Sequence, residues 1–194
     1  MPMDPPPDLA SLSLAEIARL AAERKLPPVE KWNPVHCGHS GMRIARDGTW
    51  YHEGSPIGRL EMVRLFSTVL RREPDGSHVL VTPVEKLDID VEDAPFIASM
   101  MQSDGEGEAR KIAFSLNTGD LVVLDADHSL TIRQDENGPR PYVAVRGALE
   151  ARIGRNVYYE LAAIAIAEDS EGVWSHGTFF PLEAPEGGVA DGAA

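Results

Sequence analysis

The chain has 194 residues, enough for one large or two small domains with a real core. Its 43% hydrophobic and 25% charged residues are those of an ordinary globular protein, and a formal net charge of −13 excludes binding to a nucleic-acid polymer or an anionic membrane unless there is a strong local basic patch. A single cysteine, Cys37, excludes an intrachain disulfide; with no basic-then-apolar leader and no apolar run of the ~18 residues a membrane helix needs, the reading is a cytoplasmic protein.

In chain order, the proline-rich residues 1–10 and the Gly/Ala/Glu-rich residues 184–194 cannot bury apolar area and are predicted to be disordered. Ser13 followed by Glu16 makes a capping box, and Leu14, Ile17, Leu20 and Ala21 form one stripe before Pro27 and Pro28. An N-terminal helix is therefore expected over 11–27. A first α+β unit follows over 28–94. It opens with a hairpin, residues 42–44 and 50–51 flanking Asp47 and Gly48. Ser55 is then placed to cap a helix with Pro56 at its first position, its packing face made by Met62, Leu65, Phe66 and Val69. A strand at 79–83 and an alternating strand through Leu87, Ile89 and Val91 complete the unit.

The second unit is expected over 95–183. It has an acidic loop at 104–108, a hairpin about 117–120, an extra stretch from about 125 to 150, and one continuous strand over 142–153. A second helix carries Tyr158, Leu161, Ala162 and Ala165 on one face, and residues 173–174 and 179–180 form a closing hairpin.

Residues 57–76 and 153–172 echo each other without a gap. Both begin Ile-Gly-Arg (Ile57, Gly58, Arg59; Ile153, Gly154, Arg155), share Leu65 and Leu161, and end on Gly76 and Gly172. Five of these 20 positions match, where chance gives roughly one. The echo spans the helix of each unit, so the fold class read from it is α+β: a duplicated unit of a curled antiparallel sheet plus one helix.

Chemistry is harder to read. On a continuous strand over 142–153, Val143, Val145, Leu149, Ala151 and Ile153 form the apolar face, and Arg146, Glu150 and Arg152 project together from the other. Two rigid guanidinium forks on one face suit a phosphate or carboxylate; the competing reading is a solvated face with Arg–Glu pairs. Duplicated units leave a cleft between copies, which is where small ligands bind. Asp88, Asp90 and Glu92 read as solvated carboxylates. His36, Cys37 and His39 lack the second ligand cluster zinc requires, and Asp125, Asp127 and His128 read as a polar turn, so no metal or other cofactor is expected. Ser175 and His176 are adjacent and point to opposite strand faces, which removes them as a catalytic pair. No catalytic residue is assigned.

Ordered blocks along the chain are familiar as a set. They include Trp32-Asn33-Pro34, Met42-Arg43-Ile44, Asp47-Gly48-Thr49-Trp50, Leu80-Val81-Thr82-Pro83-Val84-Glu85-Lys86, Asn117-Thr118-Gly119-Asp120, Leu149-Glu150-Ala151-Arg152 and Gly172-Val173-Trp174-Ser175. The chain resembles a bacterial family known as domain of unknown function 1285 over about residues 28–182. The resemblance implies a duplicated α+β core whose second half is superficially like a pleckstrin-homology fold. It also implies a role in signal transduction, with an anionic, nucleotide-type ligand at the domain interface. Arg43, Glu85, Lys86, Arg146, Arg152 and Trp174 match family blocks and are the residues expected to line that cleft. The alternatives are a protein-interaction module and, behind it, an enzyme acting on a phosphorylated substrate.

Overall fold

The computed structural model describes residues 26–183. The expected N-terminal helix and both terminal stretches lie almost wholly outside the described residues. Two six-stranded sheets, each with one helix, make up the described chain, together with a short two-stranded hairpin. The duplicated α+β architecture expected from the sequence is the one observed.

The first half contains β1 (His36–Ile44), β2 (Trp50–His52), β3 (Ser55–Pro56), α1 (Leu60–Thr68), β4 (Leu70–Arg72), β5 (His78–Val81) and β6 (Lys86–Val91). The second contains β7 (Phe96–Asp104), β8 (Lys111–Leu116), β9 (Leu121–Val123), β10 (Leu130–Asp135), β11 (Gly138–Arg146), β12 (Leu149–Ile153) and α2 (Arg155–Ala167). The closing hairpin is β13 (Gly172–Ser175) and β14 (Thr178–Pro181). The first sheet runs β3-β2-β1-β6-β5-β4 and the second, read from its far edge, β9-β8-β7-β12-β11-β10. These are the same order. A meander runs outward, a second returns, and the return strand pairs in parallel with the first: β6 with β1, β12 with β7. Every other pairing is antiparallel.

The duplication is therefore real, but its register differs from the sequence echo. Strand for strand, His36 corresponds to Phe96 and Lys86 to Leu149. The helix sits between the third and fourth strands of the first sheet, but after the sixth strand of the second. The echo matches helix to helix, at two different points of one topology.

Local corrections follow from hydrogen bonding. Ser55 and Pro56 do not start a helix; they pair with His52 and Tyr51 as the edge strand β3, where a proline without an N–H is tolerated. The helix begins at Leu60 after Arg59. Its buried residues are Val63 and Ser67 rather than the expected stripe, because polar tethers hold that edge against the second half: Arg64 Nε donates to Thr118 O at 2.8 Å and the Arg146 guanidinium to Ser67 O. In α2 the buried set is Val157, Leu161 and Ala165, so the expected face is right at Leu161 and Ala165, while half-buried Tyr158 donates its hydroxyl to Leu182 O at 2.9 Å. The strand expected over 142–153 is a hairpin. Gly147, at φ +52°, turns the chain between β11 and β12, and a register shift pairs Arg146 with Leu149.

One hydrophobic core joins both halves. Ile44, Trp50, Leu70 and Ile89 from the first pack in one cluster with Phe96, Phe114, Val143 and Leu161 from the second. A smaller cluster of Val29, Val79 and Val81, with Trp32 against it, lies on the first half. Among the described residues no helix is long and apolar enough to cross a membrane.

Candidate functional site

Antiparallel pairing places directly opposed residues on one face of a sheet. In β10–β12 the opposed pairs are Arg133 with Arg140, Tyr142 with Arg152, and Ala144 with Glu150. Arg133, Arg140, Tyr142, Glu150 and Arg152 therefore share one face. Like charges opposed across a ladder repel, so the Arg133–Arg140 pair requires compensation. Arg133 meets both oxygens of Glu150 at 2.7 Å and stacks over Tyr142 at 4.2 Å from the ring centre, while Arg140 pairs with Asp135.

The first half completes this face. Asp93, just beyond β6, accepts from the Tyr142 hydroxyl at 2.7 Å and lies 3.2 Å from Arg152 Nε and 4.0 Å from Arg140. The Arg152 contact is ionic rather than a directed hydrogen bond, for neither Arg152 Nε nor Asp93 Oδ2 has a hydrogen-bond partner. Arg152 also donates to Arg46 O at 2.8 Å, and Arg72 of β4 approaches Glu150 at 3.9 Å. Four guanidiniums (Arg72, Arg133, Arg140, Arg152) thus meet three carboxylates (Asp93, Asp135, Glu150) at the seam between the halves. Burial, reinforced by the Asp93 carboxylate, pushes the Tyr142 hydroxyl above its ordinary range. Tyr142 is therefore a hydrogen-bond donor at neutral pH and not a base.

His78, beside this cluster, is pushed down to about 4, first by burial and then by the charge of Arg72, with Glu150 opposing. A histidine held neutral in the fold takes up its proton when the chain unfolds. Its contribution to stability is complete above about pH 6.5 and is lost as pH falls through about 4. Unfolding measured by urea between pH 4 and 7 is expected to show a rise with pH that His78→Gln flattens by about 1 kcal/mol, a figure discounted because the ring is part-exposed. An unchanged slope in the variant would exclude the histidine as its source.

The six residues expected to line a cleft are not all brought together. Arg152 lies in the seam cluster. Arg146 lies at the seam too, but is spent on α1: its guanidinium holds Ser67 O and sits over Phe96 at 5.3 Å. Arg43 stacks on Tyr51 at 4.4 Å and pairs with Glu92, whose other oxygen accepts from Arg46 N at 2.9 Å. That backbone bond, ahead of the Arg43 pairing, holds Glu92 below the usual carboxylate range. Arg43 thus supports the turn whose Arg46 carbonyl receives Arg152.

Glu85 and Lys86 stand at the opposite end of β6 from Asp93, and that strand alone is ~16 Å long. Glu85 is exposed. Lys86 lines a separate pocket of ≈ 340 Å³ with His36, Glu73, Asp75, Ser77 and Asp88. Three carboxylates dominate that lining, so it disfavours an anion. Trp174 packs against Phe179 in the β13–β14 hairpin, which lies over α2 and β8, toward the other edge of the second sheet. Buried Ser175 is structural: it accepts from Ile112 N at 3.0 Å and donates to Leu124 O at 2.6 Å. Among the described residues no three metal-ligating side chains converge.

Sequence reasoning missed Asp93, Arg133 and Arg140. The available signal was the turn at Glu136, Asn137 and Gly138 between alternating segments, a hairpin that opposes Arg133 to Arg140. Asp93 carried no local signal, because only the meeting of the two halves brings the segment after β6 to β11.

The comparisons with known proteins agree with this architecture. The family model described as the N-terminal domain of a domain of unknown function (DUF1285) matches residues 27–94, and that of a protein of unknown function (DUF1285), C-terminal domain, matches residues 95–182. A crystal structure of a DUF1285 family protein from Silicibacter pomeroyi DSS-3 is 43% identical, with a TM-score of 0.76 over 88% of this chain and 96% of that one. Another, from Shewanella baltica OS155, is 23% identical with a TM-score of 0.51 over 64% of this chain and 91% of that one, a likeness of fold. No curated protein matches. With both domain models matched in order and a 43% identical relative aligned over most of its length, the chain belongs to the DUF1285 family.

Proposed function

We propose that the chain is a cytoplasmic, non-enzymatic receptor in signal transduction, which takes up a small anion of nucleotide or other phosphorylated type on the arginine face at the seam. One observation carries this reading: Arg133, Arg140 and Arg152 share a face with Arg72 brought alongside, in a chain whose formal charge is −13. Guanidiniums are weakly hydrated forks that match phosphate oxygens. Side-chain exposures of 48% for Arg133, 37% for Arg72, 28% for Arg152 and 25% for Arg140 leave outward donors within reach of solvent. Carboxylates occupy these groups at rest, so a phosphate exchanges one ion pair for another instead of stripping a hydrated cation. Arg152 binds directly in this reading; Arg43 and Arg146 position the turn and the helix that frame the face.

Thermal shift with nucleoside mono-, di- and triphosphates and inorganic pyrophosphate at low salt tests it. A ligand at 100 times its Kd adds about 2.7 kcal/mol, a rise of roughly 5–10 °C for a chain of this size. The rise is expected to vanish in Arg133→Ala and Arg140→Ala. No response to any of these anions, or an equal response in both variants, would remove the seam as the site.

A further inference from the structure

α2 buries Val157, Leu161 and Ala165 and turns its opposite side to solvent. On that outer side Arg155, Tyr159, Ala163 and Ile166 follow one another at spacings of four, four and three, which keeps them on one line. Tyr159 is 60% and Ile166 79% exposed, two large apolar groups with a small one between them. A lone surface isoleucine needs no explanation. The charges at the two ends of this line do.

A helix favours anions at its N-terminus and cations at its C-terminus, because its free N–H groups carry partial positive charge and its free carbonyls partial negative charge. α2 is charged the other way. It has no acidic residue in its first turn, no basic residue in its last, and no side-chain cap from Gly154. Its first residue is the exposed Arg155, and the chain just past its end carries the exposed Asp169 and Glu171. Glu168 is neutralised by Arg110 at 2.6 Å, but among the described residues Arg155, Asp169 and Glu171 make no ion pair.

One arrangement answers both the open apolar line and the reversed charges. Two copies of α2 lie side by side and antiparallel, with Ala163 on the two-fold axis. A residue eight places before Ala163 then faces the residue eight places after it in the other copy. Arg155 meets Glu171, with Asp169 alongside, at the negative end of the other helix. Tyr159, four places before, meets Ile166 and Ala167, three and four places after. Ala163 at the crossing is small enough for the axes to approach to ~8 Å. A cation before the small residue, anions after it and an apolar group on each side make a surface complementary to itself. A two-fold interface between identical chains requires this, and a foreign partner does not.

We infer that the outer face of α2 is a homodimer interface, in which two copies of the helix pair antiparallel across Ala163. One helix face buries less than the ~800 Å² per partner of a standard interface, so the association is weak, with a Kd of about 10–100 µM. The inference uses none of the seam residues and is independent of the anion reading.

Sedimentation of the full chain from about 1 to 500 µM tests it in about 0.15 M salt, where a Debye length of ~8 Å screens the repulsion between two chains of charge −13 but not the contacts between the helices. The wild type is expected to pass from monomer to dimer over that range. Ile166→Arg and Ala163→Glu are each expected to keep the chain monomeric while leaving the melting temperature at low concentration unchanged, because both positions face solvent in one copy. Arg155→Glu sets like charges opposite each other at both ends of the interface and is expected to weaken the dimer about tenfold. Adding Glu171→Arg is expected to recover about threefold of that loss, whereas adding Val84→Arg, on the first half, recovers nothing. A wild type that stays monomeric throughout overturns the inference. So does a dimer that survives Ile166→Arg and Ala163→Glu, since another surface then carries it, or one that Arg155→Glu leaves as tight, since the helices then do not run antiparallel. A lower melting temperature of dilute Ile166→Arg also overturns it, because the face is then covered within a single chain.

Discussion

Gly172→Ala is expected to cost about 3–5 kcal/mol of unfolding free energy, although it adds only a single methyl group. A Cβ at this position would stand 2.2 Å from Phe180 O and 2.8 Å from both Phe179 Cζ and Pro181 Cα. The nearest of these is backbone, paired with β13 in the register Gly172 to Pro181 and Val173 to Phe180, so it cannot swing aside. Either the hairpin opens or β13 lifts from α2 and β8, and both routes expose Val173 and Phe180 from the core. Gly177, in the turn of the same hairpin, supplies the contrast. It sits at φ +74° with nothing within 4 Å of a Cβ, so Gly177→Ala should cost only the ~1 kcal/mol of left-handed strain. Urea unfolding of the two variants separates the cases; equal losses would show that close approach is not what excludes a side chain at 172.

Asn117→Ala is expected to lose about 2–4 kcal/mol, for a different reason. Its side-chain carbonyl accepts from Ile97 N at 2.9 Å, its own N–H donates to Ile97 O at 2.8 Å, and its amide donates to Gly48 O at 3.3 Å across the seam. Truncation leaves a part-buried N–H and a carbonyl from the other half without partners, and such losses cost more than the bonds themselves contribute. Asn117→Asp keeps the acceptor for Ile97 but sets an anionic oxygen against Gly48 O. It should therefore be at least as destabilising near neutral pH and recover in part on acidification. If Asn117→Asp matches the wild type in urea, the contact with Gly48 does not hold the halves together.

These two positions share a lesson about the echo between residues 57–76 and 153–172. Gly76 and Gly172 match as letters, yet Gly76 has open space around it, with only Arg72 Nη2 at 3.8 Å, while Gly172 faces a backbone wall. The identities mark two helices of similar sequence inserted at different points of one strand order. A packing test at one glycine therefore does not transfer to the other.

Much was legible from the residues alone wherever the deciding interaction was short in sequence. The hairpins at Asp47 and Gly48, at residues 117–120 and between β13 and β14 form as their turn residues predict, and the alternation through Leu87, Ile89 and Val91 forms β6. The split into two sheet-plus-helix halves was legible too, because each helix and each turn leaves a local pattern.

Only the tertiary structure decided the rest. The parallel pairings β1–β6 and β7–β12 close loops of about fifty residues, for which no local pattern codes. The turned face of α1 was set by Arg64 and Arg146 reaching the other half, against the helix's own amphipathic stripe. The arginine face exists because a turn at Gly147 folds β12 onto β11 and the end of β6 delivers Asp93 to Tyr142. Local propensity specifies strands, turns and helices; which charges meet depends on pairings between distant segments, and those are settled by burial of the shared core.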